Sequence, residues 1–116
     1  VLAGLVFGAC ENGPQPNPYN RRPTAAVIDW PAETRVGDRA LFKVECYDPD
    51  GDRLRVFVAW GDGDTSDYGE FVQSGQTLVF EHTFATADTF PVRARCHDLE
   101  PLFSEWSAPR TVRVTP

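Results

Sequence analysis

The sequence predicts an all-β fold, a seven-stranded antiparallel sandwich. Three observations carry that expectation. Apolar residues recur at every second position over five or six short runs, the spacing that turns one face of a strand inward. Clusters of Gly, Asp and Pro separate the runs, as turns require. No stretch keeps a helical spacing for longer than a turn or two.

Taken in order, residues 1–9 are apolar and uncharged. A bilayer span needs about 20 such residues. The run is too short for that, and it reads instead as the remnant of a signal-peptide hydrophobic region. Phe7-Gly8-Ala9-Cys10 resembles a bacterial lipobox, with Phe7 where leucine is usual, so Cys10 is the expected lipidation site and the chain is expected to be held to a membrane by a lipid anchor. The chain contains no methionine, so Val1 is read as lying within a longer sequence. Residues 10–23 are polar and proline-rich, which suits the lipidated cysteine and an extended tether.

Residues 24–116 hold the sandwich. Its strands are expected at about 25–30, 38–47, 53–60, 64–72, 76–83, 89–97 and 110–115. Phe42, Val44 and Cys46 share one face of the second, opposite Lys43 and Glu45. Leu54, Val56, Val58 and Trp60 repeat the pattern, as do Leu78 with Phe80, then Phe90, Val92, Ala94 and Cys96, then Val112 with Val114. Asp48-Pro49-Asp50-Gly51-Asp52 and Gly61-Asp62-Gly63-Asp64 punctuate them. Pro91 conflicts with its strand, because proline has no N–H for the ladder.

Five stretches of this body resemble the PKD (polycystic-kidney-disease-type) family of immunoglobulin-like domains. They are Tyr47 to Asp52, Val58-Ala59-Trp60-Gly61-Asp62-Gly63, Glu81-His82-Thr83-Phe84, Thr89-Phe90-Pro91-Val92 and Asp98. The signature Trp60, Gly61, Asp62, Gly63 is intact. Phe84 and Phe90 replace common tyrosines, and Asp88 replaces a turn glycine. The closing Ser104-Glu105-Trp106-Ser107 resembles the ends of other immunoglobulin-like and fibronectin-like modules. The resemblance implies a sandwich in extracellular or surface proteins that acts as a spacer or contacts protein or carbohydrate, often beside an enzyme.

Cys46 and Cys96 fall on inward faces of strands that oppose each other in many such sandwiches. In an oxidising compartment they are expected to form a disulfide, closing a loop of about 50 residues worth about 4 kcal/mol on the chain-entropy model. The alternative is two buried thiols. Asp48, Asp50 and Asp52 offer several oxygens from a short span, as calcium prefers, but the same residues are ordinary turn formers with Arg53 and Arg55 at hand to neutralise them. His82 is expected to bond the Gly61-Asp62-Gly63 turn. His82 and His97 lack zinc-site spacing. Trp60 belongs in the core, whereas Trp30 and Trp106 lie near strand ends, where half-buried rim packing is the commoner outcome and contact with a ligand the alternative.

The net charge of -6 speaks against nucleic-acid binding. No nucleophile elbow, phosphate loop or zinc-protease pattern is present, so no catalytic residue is expected. The reading is a non-catalytic, exported lipoprotein domain at the cell surface or in the periplasm, for adhesion, spacing or contact with a protein or polysaccharide. Two alternatives remain: an accessory module of a secreted hydrolase, and a fibre subunit that donates residues 1–9 as a strand.

Overall fold

The computed structural model describes residues 19–116. The hydrophobic run, Cys10 and most of the tether lie outside the described residues. Seven strands form two sheets: β1 (Thr24–Asp29), β2 (Glu33–Arg35), β3 (Arg39–Tyr47), β4 (Arg55–Ala59), β5 (Thr77–Thr83), β6 (Asp88–His97) and β7 (Arg110–Thr115). One sheet has the order β1-β3-β5 and the other β2-β7-β6-β4.

The count of seven matches expectation, but one member differs. Residues 64–72 form no strand. They lie along β4 through isolated bridges, Ala59 to Thr65 and Leu54 to Val72, because Gly69 turns the chain at φ 69° between them. The seventh strand is β2 instead, a three-residue stretch without an apolar side chain. It pairs parallel with β7, Glu33 opposite Arg113 and Arg35 opposite Thr115. That pair is the exception to an otherwise antiparallel sandwich.

The inward rows meet in one core. β3 contributes Ala40, Phe42, Val44 and Cys46, β4 contributes Val56 and Val58, and β6 contributes Phe90, Val92, Ala94 and Cys96. Trp60 is 2% exposed and sits 5.0 Å from Phe42, ring centre to ring centre. Pro91 fits because the β4–β6 ladder ends at Ala59 opposite Arg93. The Gly61 turn takes the space beyond. A Cβ on Gly61 would lie 2.7 Å from both Cδ and O of Pro91, and the residue is held at φ +85°, so only glycine fits.

The register also fixes where the chain enters and leaves. β1 starts at Thr24 opposite Tyr47, the last residue of β3. Near the end of β7, Val114 lies opposite Asp88, the first residue of β6. Since β3 and β6 both run toward the Asp48 end, entry and exit fall at opposite poles of the sandwich.

Candidate functional site

The candidate site grows from the alternation itself. The inward rows of β3 and β6 run through Cys46 and Cys96, and the next inward positions are Asp48 and Asp98. Period two thus carries two carboxylates to the same pole of the sandwich. Asp48 is 1% exposed and Asp98 0%.

Each buried aspartate folds its own loop. Asp48 Oδ1 accepts from the main-chain N–H of Asp50 at 2.8 Å and of Asp52 at 3.3 Å. Asp98 Oδ1 accepts from Glu100 N at 3.1 Å and Leu102 N at 2.6 Å. Asp98 Oδ2 accepts from Asn20 Nδ2. Two oxygens are left over: Asp48 Oδ2 and Asn20 Oδ1 are buried and have no hydrogen-bond partner. A buried acceptor without a donor is costly, so this pair marks the pole as incomplete.

Asp48, Asp50 and Asp52 do come together, with one carboxylate oxygen from each within 4.8 Å of the others. Their roles differ. Asp50 binds Arg21, accepting from its main-chain N–H at 2.8 Å and its guanidinium at 2.9 Å. Those bonds hold its pKa below the usual carboxylate range. Asp52 is pushed above that range by burial and by the nearby charges of Asp48 and Asp98. The expected neutralisers are not the ones used. Arg55 turns away to donate to Gly69 O at 2.9 Å, and Arg21 takes the role. Asn20, Arg21 and Arg22, which the sequence assigns to the tether, all bond to the folded domain. Asp98 and Asn20 were missed as site residues; for Asp98 the signal was the unbroken alternation through Cys96.

Cys46 and Cys96, the expected disulfide pair, are both buried and stand as thiols. They nonetheless touch. Cys46 is held protonated by its hydrogen bond with Cys96 and by burial, while the same bond and Ser104 draw Cys96 the other way.

The Trp60-Gly61-Asp62-Gly63 turn occupies the other pole. His82 Nε2 lies 2.7 Å from Asp62 Oδ2, and Asp62 Oδ1 accepts from Asp64 N at 3.0 Å. The His82 ring stacks on Trp60 at 4.5 Å. Burial raises the Asp62 pKa, but the bonds from His82 and Asp64 outweigh it and leave the carboxyl below its ordinary value. Trp30 is half-buried, donating Nε1 to Thr111 O at 3.2 Å under Arg110. Trp106 is also half-buried, with Arg93 over its ring at 4.9 Å.

With two sheets, the strand order and the tryptophan turn in view, comparison with solved structures is direct. The PKD domain of an M14-like peptidase from the Thermoplasmatales archaeon SCGC AB-540-F20 superposes with a TM-score of 0.78 at 28% identity, covering 84% of this chain and 99% of that one. The fold matches that of a PKD domain. A second match is the CARDB domain of the PF1109 protein from Pyrococcus furiosus, a structure in complex with di-metal ions. Its TM-score is 0.64 at 16% identity, covering 84% of this chain and 90% of that one, and the likeness is one of fold. No family model and no curated protein matches the sequence.

Proposed function

We propose that this chain is a non-catalytic PKD-type module of an exported protein, a spacer and contact domain braced by calcium at its Asp48 pole. The observation that carries the spacer reading is the register: the chain enters at one pole and leaves at the other. A domain threaded this way separates its neighbours by its full length. The PKD domain it resembles, nearly all of which the match covers, supports an autonomous unit. Held by a lipid on Cys10, such a unit would lift its partner away from a membrane.

The calcium reading rests on the unpartnered oxygens. Calcium takes six to eight oxygen ligands, mostly carboxylate, carbonyl and water. Asp48 Oδ2 and Asn20 Oδ1 are two such oxygens without a donor, and Asp52 is a carboxylate crowded by others. Asp48 and Asp52 lie within reach of one cation and would hold it, and Asn20, its amide bonded to Asp98, offers a further oxygen at the same pole. Asp50 is committed to Arg21 and would contribute only if that pair opened. The CARDB-domain structure of like fold is itself a complex with di-metal ions.

A second reading has its own support. One similar solved structure is a domain of a peptidase, which favours an accessory role beside a hydrolase. A catalytic domain in the same full-length chain would select it. In either case the domain alone is expected to turn over no peptide, ester or glycoside. Turnover that vanishes on changing one carboxylate overturns the non-catalytic reading. Mass spectrometry of the mature protein tests the anchor: a diacyl or triacyl adduct on Cys10 is expected, and an unmodified cysteine removes it.

A further inference from the structure

Four exposed cations of this acidic chain have a carboxylate beside them: Arg21 has Asp50, Arg39 has Glu81, Lys43 has Asp29 and Arg113 has Glu33. The outer face of β4 and β6 is different. Arg55, Arg93 and Arg95 project there, and no carboxylate of the described residues is within ion-pairing distance of any of them. Aromatic rings lie against them instead. Arg93 and Arg95 lie over Trp106 at 4.9 and 5.6 Å, and Arg95 also lies over Phe103 at 4.8 Å. Arg55 stacks over Phe71 at 5.4 Å.

This arrangement is positioned by serines. The segment carrying Trp106 runs beside β6, where Ser107 Oγ accepts from Ala94 N at 2.9 Å and Ser104 Oγ from Cys96 N at 3.0 Å. Arg95 Nε donates to Ser104 O at 3.1 Å. A guanidinium stacked on a ring is held in one plane, with N–H groups free along its edge for a planar anion. Two shallow clefts continue the strip. One, of about 330 Å³, is lined by Trp106, Arg22, Glu105 and Pro23. The other, of about 470 Å³, is lined by Arg93, Pro91, Pro109 and Ala59.

We propose that this face binds an anionic polysaccharide, with Arg93 and Arg95 taking its carboxylates and the two clefts seating the sugars on either side. The inference deepens the contact role proposed above and rests on it. Charge complementarity points to an anion at a face that gathers three arginines against aromatic rings with no carboxylate paired to them. The backbone here is already paired: β4 and β6 bond to each other, and β4 is covered by residues 65–72. An added peptide strand therefore finds no free ladder, and recognition falls to rings and guanidinium edges. A net charge of -6 disfavours the denser charge of a nucleic acid.

The test is calorimetric titration of the folded protein with polygalacturonate, neutral dextran and poly-glutamate, in chelator to exclude calcium bridging. Binding to polygalacturonate and none to dextran is expected. Arg93→Gln, whose side chain donates no hydrogen bond in the fold, should weaken it about tenfold, the loss of one charge-assisted contact. Arg93→Gln with Arg95→Gln should abolish it, while Arg39→Gln on the other sheet leaves it unchanged. Each variant is melted first, so that loss of fold is not read as loss of binding. Equal heats for polygalacturonate and dextran, an equal loss in Arg39→Gln, or tighter binding of poly-glutamate overturns the proposal. The calcium-dependent melt is independent of this face. Failed binding with that melt intact removes the polysaccharide alone, and failure of both removes the contact role and the calcium brace while the spacer reading, carried by the register, stands.

Discussion

The two poles of the sandwich are built from the same material, aspartates in glycine turns, and they end in opposite states. At the tryptophan turn both oxygens of Asp62 are engaged, one by His82 and one by Asp64 N. At the other pole Asp48 uses one oxygen on its own loop and leaves the second unpartnered, as Asn20 does. A carboxylate with every lone pair answered is a structural part. One that is buried and half-answered is either an expense or a place for something else. The difference teaches that acidic residues in a turn identify a site only once their partners are counted.

The comparison can be broken most severely at the closed pole. Trp60 supports it, packed on Phe42 and stacked on His82. Trp60→Ala is expected to cost about 3–5 kcal/mol, read as a fall in the denaturant midpoint. A midpoint that barely moves would mean that the turn stands without its indole.

The next largest effect lies just inside the open pole. Cys46 and Cys96 touch as thiols, one residue pair inward of Asp48 and Asp98. Exposure to an oxidised thiol buffer is expected to join them and to raise stability by about 4 kcal/mol on the chain-entropy model. Thiol counting in denaturant, with and without reductant, checks it. Two free thiols persisting after oxidation would show that the pair is held apart.

Calcium sharpens the contrast directly. At a hundredfold excess over its dissociation constant it should stabilise by about 2.7 kcal/mol, seen as a higher melting temperature than in chelator. Asp48→Asn should remove most of that rise and Asp50→Asn little, because Asp50 serves Arg21. Identical melts in calcium and chelator would leave the unpartnered oxygens as a defect. Protons compete for the same pole. Burial and the charges of Asp48 and Asp98 raise the Asp52 pKa, so a proton on Asp52 competes with calcium. The calcium-dependent rise should therefore shrink as pH falls.

The smallest effect belongs to Asp62. Its folded pKa is lowered, so its stabilisation is present above the unfolded carboxylate value and is lost as pH falls through the lower folded one. Asp62→Asn should cost about 1–2 kcal/mol at neutral pH and flatten that acid limb, with melts across pH as the measure. An unchanged acid limb would assign the limb to other carboxylates.

The inward rows were legible because burial imposes a strict period of two on β3, β4, β6 and β7. That same rule reached the site, since Asp48 and Asp98 continue the rows of Cys46 and Cys96. Asp98 was passed over because polarity there suggests that a strand has ended, when it had only reached the sandwich's rim. β2 was illegible, for Glu33-Thr34-Arg35 buries nothing large and exists by pairing with β7. Residues 64–72 misled in the opposite way: Tyr68, Phe71 and Val72 suggest a strand, but the Tyr68 ring stacks on Phe57 of β4 and Val72 makes only an isolated bridge to Leu54. Asn20 and Arg21 carry no local signal at all, because their partners lie 78 and 29 residues away.

Where the chain enters determines how the domain bears tension. A pull from the N-terminus reaches Arg21 on Asp50, Asn20 on Asp98 and Arg22 on Phe103 O before it reaches any strand. These contacts are separate anchors on different loops, met one after another by the pull. A cation held by Asn20, Asp48 and Asp52 would tie the incoming segment to the third strand's loop at that same point. Calcium would then act as a mechanical fuse setting, deciding the force at which the first residues peel away and β1 begins to be exposed.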